Sequence, residues 1–176
     1  EIALPLYTAI LIDTSSFRYP TVTAATHRLI GDLMDTGIEP PTAYNGIYGT
    51  KRIDHMHMLG NVLATANSSG EVAWITLTDE NMSRFDVDIE DTHAFINHLL
   101  ILENTKVACM FRDDGDQIKV SLRSSGEVDV GLIACKIGGG GHSHSAATLI
   151  DRKKGESTQD IINQTVEKIK KALKEL

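Results

Sequence analysis

The chain has 176 residues with 41% hydrophobic and 23% charged side chains, the proportions of an ordinary globular protein with one core, or one domain plus part of another. Its net charge of −7 excludes a broad nucleic-acid-coating surface and leaves room for a local anion pocket. No apolar run reaches membrane-spanning length and no signal peptide is visible, so a cytoplasmic protein without membrane contact is expected.

Leu6–Ile12 is a continuous apolar run, which predicts a strand buried on both faces and ending in the polar loop Asp13-Thr14-Ser15-Ser16. Thr21 or Thr23 then caps a helix carrying Leu29, Ile30, Leu33 and Met34, stopped at Gly37. A strand–helix pair cannot bury its own faces, so residues 1–37 are expected to be the last such unit of a larger α/β domain. Pro40-Pro41, Gly46 and Gly49 mark residues 38–50 as a linker. Residues 51–176 predict a self-sufficient α/β fold, a mixed β-sheet flanked by helices.

Within that part, Ile53, Met56, Leu59, Val62 and Leu63 follow a helical period, and Gly70 leads into a strand over Glu71–Leu77. Asp91 and Thr92 precede a helix with Phe95, Ile96, Leu99 and Leu100. Lys106–Arg112 and Gln117–Arg123 pair as a hairpin over Asp113-Asp114-Gly115-Asp116. Val130–Ile137 predicts a short helix, and Ala146–Ile150 is compatible with a strand. Ser157 and Asp160 cap a final helix through Ile162, Val166, Ile169 and Leu173.

The most distinctive stretch is Gly138-Gly139-Gly140-Gly141-His142-Ser143-His144-Ser145-Ala146-Ala147. Four glycines in a row carry a high backbone-entropy cost, which a flexible linker or a close backbone approach would explain. The flanking residues favour a loop that opens a short helix, offering bare N–H groups and a positive helix end to a phosphate, with His142 beside it. On the second hairpin strand, alternation places Ser121, Arg123 and Ser125 on one face. An arginine among hydroxyls can fork onto a phosphate there, or simply face water. Asp13 stands where α/β sheets bind ligands, but one carboxylate is not a metal site, and Arg18 follows as a further cation. His55 and His57 point about 200° apart on a helix and do not converge. The Asp113–Asp116 stretch lacks the closing Glu of a calcium loop. Cys109 and Cys135 read as buried hydrophobes.

Three stretches together resemble the DHH (Asp-His-His) phosphoesterases related to RecJ, in the branch of oligoribonucleases and pAp phosphatases. Leu6 through Arg18 is similar to that family's Asp-Thr-Gly-x-Phe metal motif, Ser121-Leu122-Arg123-Ser124 to its Ser-x-Arg-Ser strand, and Gly138–His142 with Ala146-Ala147 to the Gly-Gly-Gly-His loop of the DHH-associated domain. The resemblance implies a two-domain enzyme in which an N-terminal domain holds two Mn²⁺ (or Mg²⁺) ions and a C-terminal domain grips the substrate. It assigns Asp13 to the metal, and Arg123, Ser124, Gly139, Gly140, Gly141 and His142 to the substrate, with Arg18, Ser121 and His144 as further candidates. The implied partner is a short single-stranded oligonucleotide or a nucleotide, and a homodimer is a candidate assembly.

The family's earlier metal motifs, including Asp-His-His itself, do not occur in this sequence, and Ser15 and Thr148 stand where the family has glycine. The expectation is therefore a substrate-binding part of a hydrolase that is inactive on its own. A non-catalytic nucleotide-binding module is the alternative. An accessory domain of the alanyl-tRNA-synthetase type fits less well, because it leaves Asp13-Thr14 without a role.

Overall fold

A computed structural model describes residues 2–176, which form two compact units divided between Arg52 and Ile53. The first unit is helical. Its helices α1 (Ala3–Asp13), α2 (Ala24–Asp35) and α3 (Pro40–Tyr48) share a small core of Tyr7, Leu11, Ile30, Leu33 and Ala43. Thr23 caps α2 by accepting from the Thr26 N–H, and Pro40 and Pro41 open α3, where a missing N–H does no harm.

Two expectations fail in this unit. Leu6–Ile12 is not a strand but the body of α1. Tyr7 and Leu11 are buried at helical spacing while Leu6 and Ile12 remain 42% and 58% exposed, so the run is a helix with one inward stripe. Residues 38–50 are not a linker either. They fold as α3, and Ala43 and Ile47 pack into the helical core.

The second unit begins with α4 (Ile53–Leu63) and holds a six-stranded mixed sheet. The strands are β1 (Asn67–Ser69), β2 (Val72–Leu77), β3 (Val107–Asp113), β4 (Gln117–Ser124), β5 (Gly140–His142) and β6 (Ser145–Asp151), in the order β1-β2-β3-β4-β6-β5. Strands β2 and β3 run parallel, and the other four neighbouring pairs among the described residues are antiparallel. Their connection holds α5 (Asp79–Arg84) and a 3₁₀ helix (Ile89–Ile101). α6 (Val130–Lys136) links β4 to β5, and α7 (Thr158–Lys174) closes the chain behind the Ser157–Asp160 capping box.

Both faces of the sheet are covered, which explains why β3 is an unbroken apolar run. Val107, Cys109, Phe111, Ile118, Val120 and Leu122 face α6 and α7. Ala73, Ile75, Leu77, Ala108 and Met110 face α4 and the 3₁₀ helix. Cys109 is buried, and burial pushes its thiol pKa far up; Cys135, expected inside, is exposed on α6.

Candidate nucleotide-binding site

The glycine run does not open a helix; it ends one. Gly138 takes φ +88° just past α6, its N–H donates to the Cys135 carbonyl at 3.3 Å, and the Gly139 N–H donates to the Ala134 carbonyl at 2.8 Å. These paired bonds with a left-handed glycine form a Schellman C-cap. Both N–H groups are thus spent on the helix end and are not offered to an anion, which corrects the expected phosphate cradle. Gly140, Gly141 and His142 continue as β5, pairing with Ala147, Ala146 and Ser145. Glycine is required here by contact: a Cβ on Gly139 would overlap the Ala147 carbonyl oxygen, and one on Gly141 would lie 2.5 Å from the Ala146 Cα.

The start of α6 is closed as well. The Asp129 carboxylate accepts from the Leu132 N–H at 3.0 Å, and the Val130 N–H donates to the Ser143 carbonyl at 2.8 Å. The bond from the Leu132 N–H is the leading reason that the Asp129 carboxyl stays below the usual carboxylate range. Ser124 ties the same corner together. It is 1% exposed on the α6 side of β4, donates to the Val128 carbonyl at 2.6 Å, and lies 3.1 Å from Nδ1 of His144. Ser124 and His144 therefore hold the β5–β6 turn against the end of β4.

Arg123 lies on the opposite face. The register sets it across from Ala108 and Ser145, in line with Ser121 and Lys119 along β4. It is half-buried, and its Nη1 donates to the Leu122 carbonyl at 3.0 Å. Ser121 is buried between Met110 and Ala147, and His142 is exposed at the end of β5.

A trough of about 560 Å³ crosses this part of the sheet, from Arg112 on β3 and Lys119 on β4 over Ala147 and Leu149 on β6 to Gly138 and Gly139. Leu149, 60% exposed, gives it an apolar lining, and Arg112 and Lys119 give it a cationic end. His93 on the 3₁₀ helix faces the same charges. Partial burial first, then Lys119, Arg112 and Arg123, hold its pKa below the ordinary histidine value, with Glu90 opposing them weakly. An apolar surface beside positive charge suits a ribose or base carrying phosphate.

Arg112, Lys119 and His93 escaped the sequence reading, although the hairpin contained the signal. Pairing Asp113 with Ile118 across the turn puts Arg112 directly opposite Lys119. The first helical unit carries two of the sequence-predicted candidates. Asp13 is the last residue of α1, and Arg18 is committed locally, donating from Nε to the Ser15 carbonyl and from Nη2 to the Ser15 hydroxyl, both at 2.8 Å. Among the described residues no three His, Cys, Asp or Glu side chains are grouped to hold a metal ion. The described residues thus do not by themselves build a Mn²⁺ centre. Among the same residues, no helix is long and apolar enough to cross a membrane.

Residues 67–175 match the DHHA1 domain family. The chain is 28% identical over 175 residues to a bifunctional oligoribonuclease and PAP phosphatase of Thermus thermophilus, covering 98% of this chain and 51% of that protein. It is 26% identical over 146 residues to the protein of the same name from Bacillus subtilis, covering 82% and 46%. A crystal structure of an exopolyphosphatase-related protein from Bacteroides fragilis superimposes with a TM-score of 0.84 at 29% identity, over 98% of this chain and 51% of the other. The chain spans about half the length of the curated relatives it matches. It belongs to the DHH family of phosphoesterases, with residues 67–175 as its DHHA1 domain.

Proposed function

We propose that residues 53–176 bind the substrate of a phosphoesterase that hydrolyses short oligonucleotides or pAp-type nucleotides, and that hydrolysis belongs to a longer protein containing this chain. The observation that carries the reading is the charged strip on one sheet face. Arg123 and Lys119 lie on one face of β4 with Arg112 directly opposite Lys119, and Lys119 and Arg112 line a trough with Ala147 and Leu149, in a protein whose net charge is −7. Three cations gathered on one face of an acidic protein suit a small anionic ligand better than a long nucleic-acid backbone. The names of the relatives, oligoribonuclease and PAP phosphatase, support the same class of ligand.

Arg123 is the proposed main phosphate contact, with the exposed His142 at the end of β5 as a second. Gly139 and Gly141 act by letting β5 and β6 approach, with Gly140 between them in β5, and Ser124 with His144 act by fixing the turn that carries His142. Mn²⁺ or Mg²⁺ would be held only in the longer protein, where Asp13 would be one of several ligands.

Isothermal titration of the chain with adenosine 3′,5′-bisphosphate and with a 5′-phosphorylated diadenylate tests the binding role. Saturable binding that weakens about tenfold in Arg123→Ala supports it, and no binding of either ligand overturns it. Incubating the longer protein with the same ligands and Mn²⁺ separates the alternatives: turnover supports the phosphoesterase, and binding without turnover supports a silent nucleotide-binding module.

A further inference from the structure

Arg112 and Lys119 occupy directly opposed positions on β3 and β4, an arrangement that is unfavourable for two like charges unless something neutralises them. Arg112 has a neutralising partner. Its Nε and Nη2 each donate to the Asp114 carboxylate at 2.7 Å. Lys119 has no hydrogen-bond or ion-pair partner among the described residues, although it is half-buried and lines the trough. A cation taken partly out of water and left uncompensated costs stability, which a bound anion would return.

The placement of this charge relative to Arg123 is informative. The two residues lie four positions apart on the same face of β4, about 13 Å between Cα atoms at strand spacing. Long side chains leaning inward shorten the gap between their charged heads, while Ser121 between them is too short to reach either. Lys119, Arg112 and Arg123 all help to lower the pKa of His93 on the 3₁₀ helix, after its partial burial.

Resting on the binding role proposed above, we infer that Lys119, assisted by Arg112, is a second phosphate contact, so that the trough selects ligands bearing two phosphates over ligands bearing one. The two phosphates can lie on one sugar or on neighbouring nucleotides. Lys119 then acts as a selectivity residue, distinct from Arg123, which both ligand types use.

The test is titration of the chain, wild type and Lys119→Gln, with adenosine 5′-monophosphate, adenosine 3′,5′-bisphosphate and 5′-phosphorylated diadenylate. Wild type is expected to prefer one or both doubly phosphorylated ligands about tenfold. Lys119→Gln is expected to erase that preference, weakening the doubly phosphorylated ligands about tenfold more than the monophosphate. Lys119→Arg keeps the preference. A preference for the bisphosphate alone assigns both phosphates to one sugar; one for the diadenylate alone assigns them to adjacent nucleotides. Equal loss toward all three ligands, or a wild type without preference, overturns the inference and leaves the binding role standing. No binding to any of the three overturns both.

Discussion

Gly139 and Ala147 approach so closely that a Cβ on the glycine would overlap the alanine's carbonyl oxygen, with the Thr148 Cβ 2.6 Å away. Gly140, the next residue along, has nothing within 4 Å of the same position. The glycines of one run therefore do different jobs. Gly138 turns the chain, Gly139 and Gly141 admit a neighbouring strand, and Gly140 is spare.

Gly139→Ala is expected to destabilise the second unit by about 3 kcal/mol, because backbone rather than a yielding side chain occupies the space. Gly140→Ala should stay within about 1 kcal/mol of wild type. Urea unfolding of the two variants checks this, and equal destabilisation would show that the run is required as a whole.

Ser15, Ser16 and Phe17 follow α1 with φ of +49°, +59° and +63°, three left-handed residues in succession and none of them glycine. The turn holds because the Thr14 hydroxyl accepts from the Phe17 N–H at 3.0 Å and the Ser16 N–H donates to the Leu11 carbonyl at 2.8 Å. Ser15→Gly removes left-handed strain and gives up only an exposed contact with Arg18. It should stabilise the protein by about 1 kcal/mol. A lower denaturation midpoint in Ser15→Gly would contradict this account.

Asp113 lies at the centre of a clamp between the β3–β4 hairpin and α7. Arg152 donates to it from Nη2 at 2.6 Å, the Thr158 hydroxyl donates at 2.5 Å, and the Gly115 N–H donates at 3.0 Å. Burial pushes its carboxyl pKa up, but the hydrogen bonds from Arg152 and Thr158 outweigh this, and the net shift is downward. A folded pKa below the unfolded one means that the clamp contributes fully above the ordinary aspartate value. Its contribution is lost as the pH falls through the depressed folded value. Asp113→Asn should cost about 2 kcal/mol at pH 7, and the gap from wild type should close below about pH 4. Stability measured across pH 3–7 reads the difference, and a gap that is constant with pH would rule the clamp's charge out.

How much of this was legible in the sequence depends on what each segment's side chains reveal. α7 announces itself, because Ser157 and Asp160 mark its start and its apolar residues repeat at helical spacing. Leu6–Ile12 does not, since an unbroken apolar run matches a buried strand and a one-sided helix equally well. The glycine run is opaque for a different reason. A residue without a side chain has no periodicity, and a helix C-cap, a phosphate loop and a tight strand pair all call for glycine. In the candidate site, Arg123 was legible from strand alternation. Lys119 and Arg112 required the register across Asp113–Asp116, a relation between strands rather than within one.

Ser124 and Arg123 are adjacent on β4 and face opposite sides of the sheet, so substituting each separates the scaffold from the ligand contact. Ser124→Ala removes the bond to the Val128 carbonyl and the link to His144, and should cost about 1–2 kcal/mol of stability. Its effect on nucleotide affinity should be small, arising only through a looser His142. Arg123→Ala removes a half-buried side chain that donates to its neighbour's carbonyl, and should change stability by less than about 1 kcal/mol while weakening nucleotide binding about tenfold. Thermal unfolding and titration calorimetry on both variants read the two effects separately. The opposite pattern, with Ser124→Ala losing affinity at unchanged stability, would move the phosphate contact to the α6 side of the sheet. Arg123 would then be left as a structural residue.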